Sequence, residues 1–187
     1  MDDGKRLLLF DPLAVPSEIE ELASAREPAV VLTAPWHERD TESLVERLGA
    51  PVFAPPADTQ EDLMRKYGAT AEQAAGGSPD LAWLRAADTH VGHWVSAGDR
   101  MPIGVEAFPG REHNDLVLWV EGSRAVIAGD TLVDFGQGHQ IADWLREDVT
   151  REYVAEGLRP LLELPVELVL PAHGAPTDRA ALERALA

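Results

Sequence analysis

The sequence contains no cysteine. This excludes disulfide bonds, cysteine-ligated zinc and a thiol nucleophile. Long apolar runs are also missing: the run at residues 7–10 is far shorter than a membrane span or the apolar region of a signal peptide. We therefore expect a cytoplasmic protein that neither crosses nor binds a membrane.

Basic residues are scarce. The chain has 16 Lys and Arg against 33 Asp and Glu, a formal net charge of −17, and its only lysines are Lys5 and Lys66. This charge repels nucleic-acid phosphates and anionic lipids, so we expect neither as a partner. With 187 residues, of which 45% are hydrophobic, the chain fits a single folded domain over residues 1–187.

The first half of the chain alternates between strand-like and helical segments. Apolar strand-like runs are found at residues 6–11, 29–33 and 51–53. Between them, Ser17 and Glu20 predict a capping box at the start of one helix, Gly49 predicts the end of the next, and Asp58 predicts the cap of a third. This alternation is typical of helices packed on a sheet. The small residues at 69–79 predict a mobile loop.

The second half predicts a different pattern. Short apolar runs at residues 90–96, 104–108, 115–120 and 124–128 are separated by turn residues, which indicates antiparallel strands. Helices are predicted at 141–147 and 151–164, followed by a strand at 166–170 and a helix at 178–186. The chain is therefore expected to be one α/β (α+β) domain with an antiparallel meander in its middle.

Polar residues follow three of the apolar strands directly. Thr33 leads into the segment that contains His37, Gly129 precedes Asp130, and Pro171-Ala172 precede His173. The ends of strands commonly hold reactive side chains, because the sheet fixes the backbone while the loop stays accessible. Asp130 and His173 are candidate site residues on this ground, and the alternatives are a turn cap for Asp130 and a core position for His173.

Five segments, LLLFDP, VVLT…H…D…L, FPG…LVLWV, AGDTL and LVLPAHG, resemble the metallo-β-lactamase superfamily in their order and spacing. The resemblance extends from Arg6 to about Ala185. It implies a four-layer αββα sandwich with one or two zinc or iron ions that activate water for hydrolysis. Family members usually begin with a β-hairpin. We therefore expect this chain to lack the first strands of one sheet, with the exposed edge covered either by the partner subunit of a homodimer or by rearranged helices and loops.

The family's ligand motifs are incomplete here. Aligned from the preceding strand, the His-x-His-x-Asp-His motif has Ala34, Trp36, Glu38 and Arg39 at its four ligand positions. In the preferred alignment, taken from the following helix, only His37 is retained, Asp40 replaces a histidine, and Arg39 stands at a third ligand position. Arg111 replaces the histidine of the Pro-Gly-His-Thr segment, and His113 lies two residues further on. Of the seven family positions, His37, Asp130 and His173 at most hold the expected residue.

Two hypotheses follow for the site. In the first, one Zn²⁺ or Fe²⁺ ion is held by His37, Asp40, His113, Asp130 and His173, and the chain hydrolyses an ester, thioester or lactone. In the second, which we favour, the site is metal-free or weakly metallated, and Arg39 or Arg111 pairs with Asp130 in place of the metal charge. The chain would then be a pseudoenzyme that binds a small molecule or a partner. A weaker third hypothesis makes His173 a general base oriented by Asp130.

The other histidines and the tryptophans receive structural interpretations. His90 and His93 are assigned to packing or to the surface, because their spacing on a strand points them to opposite faces. His139 is assigned to the surface. The alternative is that it lines the cleft at the sheet edge, where the family resemblance implies the metal site. Trp36 is expected to wall the cleft, and the other tryptophans, Trp144 among them, are expected to cover the core.

Overall fold

The computed structural model describes residues 1–86 and 92–187. The chain forms two compact units, Met1–Trp94 and Val95–Ala187. The single domain over residues 1–187 and the four-layer arrangement of the sheets stay predictions. In the described part of the chain, no helix is both long and apolar enough to cross a membrane. His90 lies outside the described residues.

The first unit contains a four-stranded sheet in which every neighbouring pair is parallel, in the order β1-β2-β3-β4. Its strands are β1 (Arg6–Phe10), β2 (Glu27–Val31), β3 (Val52–Ala54) and β4 (Gly92–Trp94). The described helices between them are α1 (Ser17–Ser24), α2 (Thr41–Leu48), α3 (Gln60–Tyr67), α4 (Ala71–Ala74) and α5 (Ala82–Ala86). Parallel strands require crossover connections, so the predicted alternation of strands and helices is confirmed.

Strands β1, β2 and β3 are rich in apolar residues, and most of their residues are buried. Val30, Val31 and Val52 are fully buried, as is Leu44 of α2. A continuous apolar run is the pattern of a parallel strand that is covered on both faces. The carboxyl ends of β1 and β2 lie next to each other in the parallel register, which pairs Phe10 with Val31. This register brings together the polar residues that follow the two strands.

The outer edge of β1 is partly paired by the start of the chain. Asp2 forms an antiparallel bridge with Leu7, the Leu8 amide donates to the Met1 carbonyl at 2.8 Å, and the terminal amine donates to the Leu8 carbonyl at 2.6 Å. These bonds occupy backbone groups that a second subunit would otherwise contact. A homodimer that covers this edge stays a prediction.

The second unit contains a five-stranded sheet in the order β11-β8-β7-β6-β5 and a two-stranded sheet, β10-β9. The strands are β5 (Arg100–Met101), β6 (Val105–Pro109), β7 (Leu116–Val120), β8 (Ala125–Gly129), β9 (Leu132–Val133), β10 (Gln140–Ile141) and β11 (Leu168–Pro171). Strands β5 to β8 form an antiparallel meander, as predicted for residues 104–108, 115–120 and 124–128, while β11 is parallel to β8. The prediction is wrong for the run at residues 90–96, because its described strand, β4, pairs in parallel with β3 in the first sheet. Helix α6 (Arg151–Leu158), a 3₁₀ segment (Arg159–Glu163) and helix α7 (Arg179–Ala185) complete the unit.

The core of the second unit lies between one face of this sheet and its helices. Val117 of β7, Val126 of β8 and Val169 of β11 pack with Leu158 of α6 and Leu182 of α7, and all five are almost fully buried. Alternate residues of each strand point to the same face, so the sheet presents a continuous apolar surface to the helices. The polar loops that follow β8 and β11 begin where this packed region ends.

The prediction of a helix at residues 141–147 is wrong. Ile141 pairs with Leu132 in the β9–β10 ladder, and the Ala142 amide donates to the Thr131 carbonyl at 3.0 Å. The strand pairing holds Ile141 in an extended conformation, which is incompatible with a helix that begins at this residue. The spacing of Ile141 and Leu145 imitates a helical face, but tertiary pairing overrides it.

Two predicted helix caps are also wrong. Pro16 occupies the N-cap of α1 and no side chain caps this helix, while the Ser17 hydroxyl donates to Glu18 instead. In α3 the cap is Thr59, which forms a capping box with Asp62, one residue after the predicted Asp58. The predicted loop at residues 69–79 contains α4, which has its own capping box between Thr70 and Gln73.

Candidate functional site

In the first unit, His37 is held by the residues that follow β1 and β2. Asp11 accepts hydrogen bonds from the Thr33 amide at 2.8 Å and from the Thr33 hydroxyl at 2.7 Å. The His37 Nδ1 lies 2.9 Å from the Thr33 hydroxyl and 3.1 Å from Asp11 Oδ2. A 3₁₀ turn at Pro35–His37 directs the imidazole back into this position, where His37 is only 3% exposed. His37 therefore ties together the ends of two strands.

Arg39 and Asp40 have local partners in the same unit. The Arg39 Nη1 donates to the Asp11 carbonyl at 3.2 Å, and Arg39 itself is exposed. Asp40 occupies the N-cap position of α2, but its carboxylate accepts from the Ala14 amide rather than capping the helix. Both side chains thus contribute to the contacts between the loops after β1 and β2.

In the second unit, topology brings Asp130 and His173 together. Each follows one of two neighbouring parallel strands, β8 and β11, whose carboxyl ends lie at the same edge of the sheet. The Ala172 amide donates to the Gly129 carbonyl at 3.0 Å. His173 Nε2 then lies 3.5 Å from Asp130 Oδ1. The sequence placed both residues at strand ends, and the pairing of the strands explains their proximity.

Arg111 lies against Asp130 from the hairpin loop between β6 and β7. Its Nε is 3.0 Å from Asp115 Oδ2, and its Nη2 is 3.6 Å from Asp130 Oδ2, the pair that the metal-free hypothesis expects. The Asp115 side chain is fully buried, and the Arg111 and Asp130 side chains are only 10% and 11% exposed. The Arg111 guanidinium thus forms ion pairs with two carboxylates in a site that is largely shielded from solvent.

Gly110 is required for this arrangement. Its amide donates to the Asp115 carbonyl at 2.8 Å, and the Arg111 amide donates to the Thr131 hydroxyl at 3.2 Å. A Cβ atom at Gly110 would lie 2.3 Å from the Asp115 carbonyl oxygen and 2.4 Å from Thr131 Oγ1. Only glycine permits this close approach, which fixes the hairpin loop against β8 and aims the Arg111 side chain at Asp130.

His173 lies beside two aromatic rings, those of Phe135 and Trp144. The side chain of His173 is about half exposed. Its ring centroid lies 5.4 Å from that of Phe135 and 6.5 Å from that of Trp144, and the latter two rings are 5.8 Å apart. The Arg111 Cζ lies 5.9 Å from the Trp144 ring centroid. We call Phe135, Trp144 and His173 the aromatic cluster.

Within each of the two units, the described residues form no ready-made metal centre of the kind that the resemblance implies. His113 is exposed, and in neither unit do three histidine or carboxylate side chains of the described residues converge as a ligand set. Asp130, the central family ligand, is instead in contact with the Arg111 guanidinium. A divalent ion bound at Asp130 would lie within a few ångströms of a permanently charged group, which opposes its binding.

Asp134 organises the loop that carries Phe135. Its Oδ1 accepts the amides of Gly136 at 2.7 Å and Gly138 at 3.0 Å, and its backbone amide donates to the His173 carbonyl at 2.8 Å. The amide hydrogen bond from Gly136, followed by that from Gly138 and the nearby His139, holds the pKa of Asp134 below its ordinary value. The surface position predicted for His139 is wrong, because its side chain is only 5% exposed and lies 3.8 Å from Asp134 Oδ2.

The lowered pKa of Asp134 predicts a pH-dependent effect of Asp134→Asn. The charged carboxylate stabilises the folded state at every pH above its ordinary value of about 4, and this contribution is lost as the pH falls through the lowered pKa. We expect Asp134→Asn to have a lower melting temperature than the wild type at pH 7, and the difference to shrink progressively below pH 4. Thermal unfolding of both proteins from pH 7 to pH 2 measures this. A difference that does not change with pH would contradict the assignment.

The first unit also contains a cavity of about 570 Å³. Its lining includes Thr59 and Gln60 at the start of α3, Gly76 and Gly77, and Trp94 of β4. Arg85 lies at its wall and donates to the carbonyls of Ser78 and Asp80. The end of the segment that was predicted to be a mobile loop therefore forms part of the wall of this cavity.

Several residues of these sites were missed in the sequence. Asp115 is a single acidic residue before a strand, and no pattern distinguishes it from a surface carboxylate. Trp144 was expected to cover the core, but it is 43% exposed and lies beside His173. Asp11 did have a signal, because it ends the LLLFDP segment that carries the resemblance.

Comparison with known proteins identifies the fold. No family model and no curated protein matches the sequence. Among solved structures, TTHA1623 in a di-iron-bound form is 25% identical with a TM-score of 0.58, over 95% of this chain and 87% of that chain. The BLEG-1 B3 metallo-β-lactamase is 20% identical with a TM-score of 0.59, over 96% and 87%. ETHE1 from Myxococcus xanthus is 18% identical with a TM-score of 0.61, over 100% and 75%. These structures belong to the metallo-β-lactamase superfamily, so the chain has the metallo-β-lactamase fold and the resemblance is confirmed.

Proposed function

We propose that this chain is a metallo-β-lactamase-fold protein that works without a resident metal ion and binds a small molecule rather than hydrolysing one at a metal centre. The observation that carries the proposal is the position of Arg111, whose guanidinium contacts both Asp115 and Asp130. In this scheme Arg111 supplies the positive charge that a metal ion supplies in relatives such as the di-iron form of TTHA1623.

The electrostatics of Arg111 support this proposal. The guanidinium group of arginine carries a permanent positive charge in proteins, so this charge is still present when a metal ion approaches. Moving the guanidinium away would leave the fully buried Asp115 without it. Separating the two partners of a buried ion pair costs roughly 3–5 kcal/mol. A metal ion would have to compensate for this cost before binding became favourable.

The other predicted ligands support the same conclusion. His37 is buried against Thr33 and Asp11 in the first unit, and Asp40 accepts a backbone amide. Two of the predicted ligands, His113 and His173, are exposed, and His173 lies half exposed beside Phe135 and Trp144. His173, Phe135 and Trp144 therefore form an exposed surface that a ligand can contact, and Asp130 lies beneath it. This surface and the net charge of −17 favour a small molecule as the ligand over nucleic acid or a membrane. We place the protein in the cytoplasm.

Metal analysis tests the proposal. We expect protein purified without chelator to contain less than about 0.1 equivalent of zinc, iron or manganese, because the ligands are not preformed and the binding free energy has to assemble them. Dialysis against Zn²⁺ should not raise the melting temperature. About one equivalent of tightly held metal, with hydrolysis of an ester, thioester or lactone that chelators abolish, would contradict the proposal and support a mononuclear hydrolase.

Arg111→His is the matched variant for this experiment. It places at this position the residue type that the family motif has there, beside Asp115, Asp130 and His173. We expect the variant to gain Zn²⁺ affinity, seen as a melting temperature that rises with added zinc while that of the wild type does not. Circular dichroism of the zinc-free variant establishes that it is folded. Equal responses of the two proteins to zinc would mean that Arg111 does not exclude the metal.

A further inference from the structure

The cavity in the first unit lies where two neighbouring parallel strands end. Ala54 of β3 and Trp94 of β4 are partners in the strand register. Trp94 lines the cavity, and so does Pro56, which follows β3. Ligands of open α/β sheets bind outside the carboxyl ends of the strands. The volume of about 570 Å³ also falls in the usual range of about 300–1,000 Å³ for small-molecule sites. Position and volume therefore fit a small organic ligand.

Apolar groups form much of the wall of this cavity. Pro56, Ala57 and Leu84 line it with aliphatic carbon atoms. Trp94 lines it too and is 47% exposed, although burial of an indole ring is favourable. A flat aromatic ring that enters the cavity can stack on Trp94 and remove apolar surface of both molecules from water. The wall therefore favours an aromatic ligand.

The carboxylate among the described lining residues, that of Asp58, is not accessible to such a ligand. Its side chain is fully buried, and it forms an ion pair with Lys66 at 2.6 Å. The neighbouring Thr59 hydroxyl donates to the Asp62 carboxylate at 2.7 Å and accepts the Asp62 amide at 3.1 Å. Neither Asp58 nor Thr59 is therefore available to hold the polar end of a ligand.

Arg85 is the cationic residue among the described residues that line the cavity. Its side chain is exposed, and it donates to the carbonyls of Asp80, at 2.8 Å, and Ser78. Both acceptors are neutral, so these bonds fix the direction of the guanidinium without cancelling its charge. A guanidinium has five N–H donors in a planar fork, and a carboxylate can accept two of them at once. Arg85 therefore presents a positioned positive charge at the wall of the cavity.

We propose that this cavity binds an aromatic carboxylate, with the ring against Trp94 and the carboxylate paired with Arg85. The net charge of −17 opposes an anion, but exposed charges farther apart than about 8 Å are largely screened at physiological ionic strength. The contact with Arg85 therefore dominates. This inference does not rest on the proposed function, because none of the predicted metal ligands is among the described residues that line the cavity.

A titration with indole-3-acetate and its uncharged analogue indole-3-acetamide tests the inference. The two probes share the ring and differ in the charge of one terminal group, so stacking alone cannot distinguish them. The tryptophan indole N–H signals of isotope-labelled protein are followed by NMR at pH 7, and the Trp94 signal is assigned by its absence in Trp94→Leu. We expect the carboxylate to shift the Trp94 signal with a dissociation constant of about 1 mM or lower, and the amide to bind roughly tenfold more weakly.

Variants at Arg85 test the counter-charge. Arg85→Gln keeps a side-chain donor but removes the charge, so it should weaken binding of the carboxylate about tenfold and leave that of the amide unchanged. Arg85→Lys keeps the charge and should keep a preference for the carboxylate. Arg124→Gln is the matched control, because it makes the same change in net charge at an exposed pair of the second unit and should leave both affinities unchanged. Circular dichroism establishes that each variant is folded.

Variants at the tryptophans locate the site. Trp94→Leu keeps apolar bulk but removes the ring, so it should weaken the binding of both probes at least about threefold, followed by the signals of the probes themselves. Trp144→Leu makes the same change in the aromatic cluster, where the proposed function places a surface for a ligand, and it therefore distinguishes the two locations. Neither variant changes Arg85, so both keep the inference testable if Arg85→Gln does not fold.

A preference for the carboxylate that is lost in Arg85→Gln, together with weaker binding in Trp94→Leu, supports the inference. No shift with either probe up to about 5 mM, or equal affinities of the wild type for the two probes, overturns it. It is also overturned if Arg85→Lys or Arg124→Gln loses the preference as Arg85→Gln does, or if binding depends on Trp144 and not on Trp94. Metal content decides the proposed function and enters none of these outcomes, so the two proposals can fail separately.

Discussion

Arg111→Met is expected to lower the free energy of unfolding by about 3–5 kcal/mol, the range measured when one partner of a buried ion pair is removed. The Asp115 side chain is fully buried, and the Arg111 Nε lies 3.0 Å from it. Methionine fills similar space, so the loss is electrostatic rather than a cavity. For a domain of this size the corresponding drop in melting temperature is about 6–20 °C.

Arg124→Met is the control for this variant. Arg124 pairs with Glu167 across exposed side chains, 56% and 64% accessible. Exposed pairs contribute about 0–1 kcal/mol, so this substitution should change the melting temperature little. Thermal and urea unfolding of the two variants beside the wild type give the comparison. Similar losses for Arg111→Met and Arg124→Met would show that Arg111 is not the central charge of the site.

The double variant Arg111→Met/Asp115→Asn tests the pair itself. Asparagine keeps an oxygen that can accept the Thr131 hydroxyl, which now donates to Asp115 Oδ2 at 3.2 Å. With the Asp115 charge removed together with its partner, part of the lost stability should return, because replacing both members of a buried pair is often nearly neutral. The rest should stay lost, because Asp130 keeps its charge without the guanidinium. The double-mutant cycle should show a coupling of at least about 1 kcal/mol. If the losses of stability in the two single variants simply add in the double variant, Arg111 and Asp115 are not coupled, and the loss in Arg111→Met comes from other contacts of Arg111.

The sequence predicted the elements of the fold better than their ends. Alternating strands and helices and the meander followed from composition and periodicity, because burial on both faces of β2 requires its apolar run. The cap of α3 was displaced by one residue, from Asp58 to Thr59, since both residue types can cap. The false helix at residues 141–147 arose because the ladder with β9 is a non-local contact that local periodicity cannot show.

The candidate site was predictable only where a motif placed a residue. The AGDTL and LPAHG segments indicated Asp130 and His173, and the Pro-Gly-Arg segment placed Arg111 near them. Asp115 could not be found in this way, because its importance comes from its burial beside Arg111. The exposure of Phe135 and Trp144 likewise depends on how the loops after β9 and β10 fold. Burial and contact are tertiary properties, and they decide the electrostatics of the site.

Lys66→Met is expected to have the second large effect, a loss of about 3 kcal/mol in the free energy of unfolding, because it removes the cation from a buried pair. The Lys66 Nζ lies 2.6 Å from Asp58 Oδ1, with side chains only 11% and 0% exposed, and 4.9 Å from the Trp36 ring centroid. The misassigned cap residue Asp58 is therefore half of an ion pair that connects the start of α3 to its last turn. Methionine retains the apolar stem, so packing against Trp36 is largely preserved and the charge alone is removed.

The other lysine of the chain provides the control for Lys66→Met. Lys5 pairs with Glu27 at 3.3 Å, with side chains 74% and 64% exposed. Lys5→Met makes the same chemical change in solvent and should cost no more than about 1 kcal/mol. Urea unfolding of both variants gives the two free energies, and Lys66→Met/Asp58→Asn should recover most of the loss. If Lys5→Met and Lys66→Met are equally stable, Asp58 does not depend on Lys66, and burial of the pair contributes nothing to the stability of the first unit.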